Sequence, residues 1–217
     1  MKIIKNIFSH YKKQKAAMFG LDARIALAIF AALSVITGVA LYSVIQNVKV
    51  VALVADLNEF GKAFEEFYLD AGDMTKTNVA YLDVRELVES TGSDWKGPYT
   101  SYGTIDAYTI ILKHTKYNQV YIAELLDVDW AAPQPVDLSV HACTAVDKGC
   151  QLWVGVNDTS LAFAAAIDEF VDGTADRYNG NLRYIESGGA GGMVHIYLKY
   201  MPSSINSYIH SVFMIKF

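Results

Sequence analysis

Residues 25 to 45, IALAIFAALSVITGVALYSVI, run for 21 positions without a charged side chain. At a helical rise of about 1.5 Å per residue, such a run covers about the 30 Å of a bilayer's hydrocarbon core. The core helix of a soluble protein shows one apolar face, whereas here the apolar residues occupy every side, so the run predicts a membrane span. A secretory signal fits it poorly. The apolar core of a signal peptide is about 7–15 residues long and leads into a small-x-small cleavage site, which does not follow here. An anchor that stays in the mature chain is the expectation.

The flanks set a direction. Residues 1 to 24 carry Lys2, Lys5, Lys12, Lys13, Lys15 and Arg24 against the single acid Asp22, leaving 12 basic and 22 acidic residues beyond. Basic segments stay on the cytoplasmic side, so the amino end is expected inside and the long carboxyl part outside. That exterior is acidic, which argues against a nucleic-acid surface, since phosphate binding needs clustered Lys and Arg.

Beyond Ile45 the pattern becomes amphipathic with no intervening Pro or turn cluster. Val50, Val54, Leu57, Phe60, Phe64 and Phe67 recur at steps of three and four, while Asp56, Glu59, Lys62, Glu66 and Asp70 take another side. The spacing predicts one helix over about residues 22–70, stopping at Gly72. Phe60, Phe64 and Phe67 are expected to anchor a sheet. Gly61 is a liability of about 1 kcal/mol relative to Ala, and Thr37-Gly38 is the expected place for a bend.

The remainder reads as a mixed domain. A short helix is predicted over 81–90 and a second over 159–171, capped by Asn157, Asp158 or Thr159. Strands are predicted over 107–114, 119–125, 182–186, 193–201 and 207–217 from their β-branched and aromatic residues. The fold class is therefore α+β, a long amino-terminal helix, half transmembrane and half amphipathic, packed on a mainly antiparallel sheet.

A Lys-rich leader ending in Gly, an apolar helix and its amphipathic continuation into a globular domain together resemble the type IV pilin superfamily, which includes the pseudopilins of type II secretion. The resemblance implies a basic leader at 1–20, a long helix at 21–72 spanning the membrane at about 25–45, and an exported domain at 73–217. It implies cleavage between Gly20 and Leu21 by a prepilin peptidase. It further implies helix–helix assembly through Leu21, Asp22, Arg24, Ile25, Leu27, Ile29 and Leu33. Asp94-Trp95-Lys96-Gly97-Pro98-Tyr99 is similar to a W-x-G-P-Y element of such proteins, with Trp95 and Tyr99 covering a helix–sheet junction and Gly97-Pro98 setting a turn. Two positions depart from the family. Ile25 stands where a Glu usually neutralises a neighbour's amino terminus, and Tyr42 stands where a Pro is usual. Either Asp22 takes over the amine contact, or the subunit is specialised or its filament divergent.

Cys143 and Cys150 lie in the part expected to face an oxidising space, so a disulfide is the leading expectation. Zinc held with His141 is the alternative, although a fourth ligand and a C-x-x-C spacing are missing. Asp127, Asp129 and Asp137, or Asp172 and Asp176, are calcium candidates without the D-x-D-x-D-G loop, and are more simply turn acids. Gly188-Gly189-Ala190-Gly191-Gly192 lacks the residues that complete a phosphate loop and reads as a strand connection. His10, His114, His141, His195 and His210 are scattered. No nucleophile or metalloprotease pattern is present, so no enzyme and no cofactor are expected.

The expected function is a structural subunit that polymerises through its amino-terminal helix into a type IV pilus-like or type II secretion filament. Its partners would be copies of itself or other pilins, the peptidase, an inner-membrane assembly platform and the bilayer. The alternative is an uncleaved, membrane-anchored domain that binds a ligand outside the cytoplasm. A mere tether leaves unexplained why the helix continues amphipathically for about seven turns past the span.

Overall fold

The computed structural model describes residues 2–76, 80–105, 110–131, 138–144, 149–187 and 192–203, with side chains described from Gly20 onward. It divides into two compact units, Met1–Lys49 and Val50–Phe217. Helix α1 spans Lys2–Ala71. It therefore begins about twenty residues earlier than the periodicity predicted. Residues 2–20 contain no Pro, and Gly20 costs a helix only about 1 kcal/mol, so nothing local breaks the backbone there. The helix also runs uninterrupted through Thr37-Gly38. It stops as expected at Gly72, whose φ of 84° places it in the left-handed region and whose N–H donates to the Tyr68 carbonyl at 3.0 Å.

Within Val50–Phe217, the described residues form six strands, β1 (Gly103–Thr104), β2 (Leu112–Lys113), β3 (Gln119–Leu126), β4 (Cys150–Thr159), β5 (Leu182–Ser187) and β6 (Met193–Pro202). They make one sheet in the order β1-β2-β3-β4-β6-β5, antiparallel at every pairing. Helix α2 (Leu161–Asp172) carries the chain from β4 to the edge strand β5, and β6 then inserts between them. The class is α+β.

Strand β4 is the main element that the sequence reading missed. CQLWVGVNDT contains Gly155, Asn157 and Asp158, residues that ordinarily punctuate a strand. The structure gives each a place. A Cβ on Gly155 would strike the Tyr121 ring and the Ile196 carbonyl, so only glycine fits between the neighbouring strands. Asp158 takes φ 65° where the β4–β6 register shifts, a bulge conformation that Asp tolerates. Because the strand continues through Thr159, the α2 cap moves to Ser160, whose Oγ accepts from the Phe163 N–H at 3.2 Å.

Three other expectations change. The helix predicted over 81–90 shrinks to a 3₁₀ turn, Val84–Leu87. The Leu82 N–H donates to the Ile122 carbonyl and the Val84 N–H to the Ile110 carbonyl, so backbone groups that would extend a helix are committed to sheet-like bonds. The strand predicted over 107–114 survives only as Leu112–Lys113, with 107–109 outside the described residues. The strand predicted over 207–217 lies wholly outside them.

The sheet is buried on both faces. One face carries Val120, Ile122, Val154, Val156, Ile196 and Leu198, and against it α1 sets Leu53, Leu57, Phe60, Phe64 and Phe67. Burying such side chains contributes about 1.5–3 kcal/mol each, which outweighs the cost of Gly61. That glycine is required here, because the Tyr200 ring occupies the place of a Cβ while its hydroxyl donates to Glu65 Oε1 at 2.8 Å. The opposite face is aromatic. Tyr121, Gly155, Tyr197 and Arg183 form a row across β3, β4, β6 and β5, with Trp153 and Trp130 beside it.

Helix α2 buries Ala164, Ile167 and Asp168 while exposing Phe170. Neither carboxylate oxygen of Asp168 has a hydrogen-bond partner. Burial, together with the nearby Asp172 and Asp176, pushes this carboxyl up from 3.8 to about 7. Between those values the folded state holds a proton that the unfolded chain has lost. Stability should therefore fall as pH rises from about 4 to about 7 and stay level above that. Asp168→Asn should raise the unfolding temperature by several degrees at about pH 8 and by little at about pH 4. Thermal unfolding at the two pH values checks this, and equal shifts would exclude it.

Candidate membrane and assembly interface

Every side chain from Gly20 to Ile45 is exposed, including Leu21 (61%), Phe30 (70%) and Val39 (68%). Its polar groups are internally spent. Ser34 Oγ donates to the Phe30 carbonyl at 2.8 Å, Thr37 Oγ1 to the Leu33 carbonyl at 2.9 Å and Ser43 Oγ to the Ala40 carbonyl at 2.8 Å. With backbone and hydroxyls satisfied within the helix, this surface suits hydrocarbon or other apolar helices and is poorly matched to water. It is the one helix among the described residues long and apolar enough to cross a membrane.

The predicted assembly residues do not all share a side. At 100° per residue, Leu21, Ile25, Ile29 and Leu33 follow one another within an arc of about 120°, and Asp22 falls inside it. Leu27 lies on the opposite side, and Arg24 beyond the stripe's edge. Asp22 and Arg24 are exposed and have no ion-pair partner among the described residues. Gly20 and Leu21 lie on unbroken helix, and a Cβ on Gly20 or Gly38 would meet open space.

The Trp95–Tyr99 segment closes on the far end of α1. Tyr99 Oη donates to Asp70 Oδ2 at 3.1 Å and accepts from the Lys96 N–H at 2.9 Å, while Lys96 Nζ pairs with Asp70 Oδ1 at 2.7 Å. The Tyr99 ring meets Phe67 edge-on at 5.7 Å and Trp95 at 6.0 Å. Trp95 Nε1 donates to the Glu86 carbonyl at 2.7 Å. The Gly97-Pro98 peptide is cis, and a Cβ on Gly97 would run into both rings. These contacts join the end of α1 to the Val84–Leu87 turn. His114 is buried between Tyr102 and Tyr117. Its Nδ1 accepts from the Lys116 and Tyr117 N–H groups at 3.0 and 3.1 Å, which leaves the proton on Nε2, 3.9 Å from Asp56 Oδ2 on α1. Burial lowers its pKa and keeps the ring neutral.

Cys143 and Cys150 are joined in a disulfide with Cα atoms 5.8 Å apart. The zinc alternative is thereby corrected, because both thiolates it required are consumed in the bond. His141 instead stacks on Trp130. Among the described residues no group of three or more His, Cys, Asp or Glu is placed to hold a metal. The calcium candidates have other work. Asp129 Oδ1 accepts the Ala131 N–H, Asp172 Oδ2 accepts the N–H groups of Asn181 and Leu182, and Asp176 Oδ1 accepts that of Tyr178. Asp137, Gly188 to Gly191 and His210 lie outside the described residues, as does the side chain of His10. His195 lies on β6, where its Nδ1 is 3.1 Å from Tyr121 Oη.

One constellation escaped the sequence reading. Arg183 is buried with its guanidinium between Trp130 and Trp153, 4.7 and 4.6 Å from the ring centroids. Its NH2 group donates to Asp127 Oδ1 and its NH1 group to the Val128 carbonyl, both at 2.6 Å, and Lys199 pairs with Asp127 Oδ2 at 3.1 Å. Burial pulls the guanidinium below its usual range, and Asp127 opposes that shift. Asp127, Val128 and Trp130 lie more than fifty residues from Arg183 in sequence, so no local pattern could announce the cluster.

No family model, curated protein or solved structure matches this chain.

Reducing the Cys143–Cys150 bond should lower the unfolding free energy by about 2–3 kcal/mol, the chain-entropy value for so short a loop. Denaturant titration with and without reductant measures it. Asp127→Asn strips the counter-charge from buried Arg183 and should cost about 3–5 kcal/mol in the same assay.

Proposed function

We propose that this chain is a structural subunit of a type IV pilus-like or type II secretion filament, made with residues 1–20 as a leader and assembled after cleavage between Gly20 and Leu21. One observation carries the reading. A helix exposed from residue 20 to 45, and apolar on all sides from 25 to 45, continues without a break into a packed helix of an α+β domain. A tether needs no such helical continuation, whereas a subunit exchanging lipid for neighbouring helices benefits from it. The basic leader keeps the amino end cytoplasmic in the inner membrane, and the disulfide suits an oxidising exterior.

In assembly, Leu21, Ile25, Ile29 and Leu33 form the stripe that meets other subunits. Asp22, on the same side, supplies the carboxylate that Ile25 does not, pairing with the new amino terminus of a neighbour. Leu27 contacts a different neighbour or lipid.

Mass spectrometry of the native amino terminus tests processing, and electron microscopy of sheared surface material tests assembly. A mature chain beginning at Leu21 is the expected result, and Gly20→Phe should abolish it. Chains that all retain residues 1–20 and stay monomeric would instead establish the uncleaved, anchored binding domain.

A further inference from the structure

Two opposite charges sit just ahead of the uncharged run that begins at Ile25. Asp22 and Arg24 are both exposed, and neither has an ion-pair partner among the described residues. A helical side chain reaches the positions three and four residues away, and for both residues these are uncharged in either direction. Nor do the two reach each other, since a turn of about 100° per residue sets them about 160° apart around the helix. Charges bordering hydrocarbon are costly until an opposite charge meets them. The pair therefore points to other molecules, and its two signs make a second copy of this chain a sufficient source.

On the filament reading above, copies stand parallel in the bilayer. Asp22 and Arg24 differ by only about 3 Å of rise, so the acid of one copy is level with the base of another. In a two-fold pair the same side of both helices meets, and charges about 160° apart are left at its margins. Where the Asp22 side of one copy meets the Arg24 side of the next, the ion pair falls within the contact, and each copy keeps one charge for a further neighbour. The apolar residues match. Asp22 shares its side with Ile25, Ile29 and Leu33, all more than half exposed, while Arg24 shares its side with Ala31 and Gly38. A Cβ on Gly38 would meet open space, so nothing among the described residues calls for glycine there. Bulky residues set against small ones let parallel helices approach closely.

We infer that the subunits of this filament join through unlike sides in an open series, with the Asp22 carboxylate of one copy pairing with the Arg24 guanidinium of the next. A carboxylate has two oxygens, so Asp22 can receive Arg24 and a neighbour's amino terminus together. Such a contact repeats along a filament, whereas a two-fold contact stops at a pair.

The test uses the full chain, in the membranes and sheared filaments of cells that make it. Ile29→Cys and Ala31→Cys lie one heptad beyond Asp22 and Arg24 on the same two sides, and leave both charges intact. On oxidation with copper phenanthroline, copies carrying one substitution should link to copies carrying the other, and neither kind to its own. Copies carrying both should form ladders of three or more. In that doubly substituted chain, Asp22→Arg or Arg24→Asp should each cut the ladder about tenfold, and making the two variants together should restore it, because each then meets its complement. Links of 29 to 29 or of 31 to 31, ladders that end at dimers, or no link at all would overturn the inference. So would charge reversals that leave the ladder intact, or a loss that mixing fails to restore. If mature chains beginning at Leu21 still formed filaments in such a case, this contact alone would fall and the filament reading would stand. Uncut, monomeric chains would remove both.

Discussion

The domain of residues 50–217 depends on the contact between one side of α1 and the aliphatic face of the sheet. Leu53, Leu57, Phe60, Phe64 and Phe67 are almost fully removed from water there, and the strands they cover are paired in the register that brings Val120, Val156 and Ile196 into line. A slip of one residue in that register would turn the aliphatic set away from the helix. Polar ties then fix the helix at intervals along its length. Glu65 receives the Tyr200 hydroxyl, and Asp70 receives Lys96 and Tyr99. Each is modest alone, and together they choose one rotation of the helix.

The other face answers a different problem. An antiparallel sheet can leave one side to water, but here Tyr121, Trp153 and Tyr197 occupy it and must be covered. Trp130 provides the cover, and Arg183 clamps the segment that carries it through Asp127 and the Val128 carbonyl. The disulfide closes the next stretch of chain onto β4. The buried tyrosine hydroxyls find partners in one another and in a β4 carbonyl, while burial raises Tyr121 and Tyr197 well above the usual phenol range.

The two parts of α1 therefore differ in kind. From residue 50 the helix is amphipathic and its apolar side is satisfied within the chain. From 20 to 45 every side chain is exposed among the described residues, a surface suited to a bilayer or to other apolar helices. The proposed filament gives both parts a use, one as the element that assembles and the other as the rod on which the domain is built.

The apolar run, the helical period after Ile45, the stop at Gly72 and the α+β class were all legible in the sequence. Each rests on short-range periodicity or on a single residue's backbone preference, and neither needs a distant partner. The same logic failed at β4, where Gly155, Asn157 and Asp158 look like a turn until Tyr121 and the Ile196 carbonyl close around Gly155. It failed again at 81–90, where Ile122 and Ile110 draw off the hydrogen bonds of a helix. The Arg183 clasp was invisible, because its members come together only when strands far apart in the chain are paired. Local order follows from neighbours in sequence. Burial, the charge state of Asp168 and His114, and which loops are locked down are set by neighbours in space, and these only the tertiary structure decided.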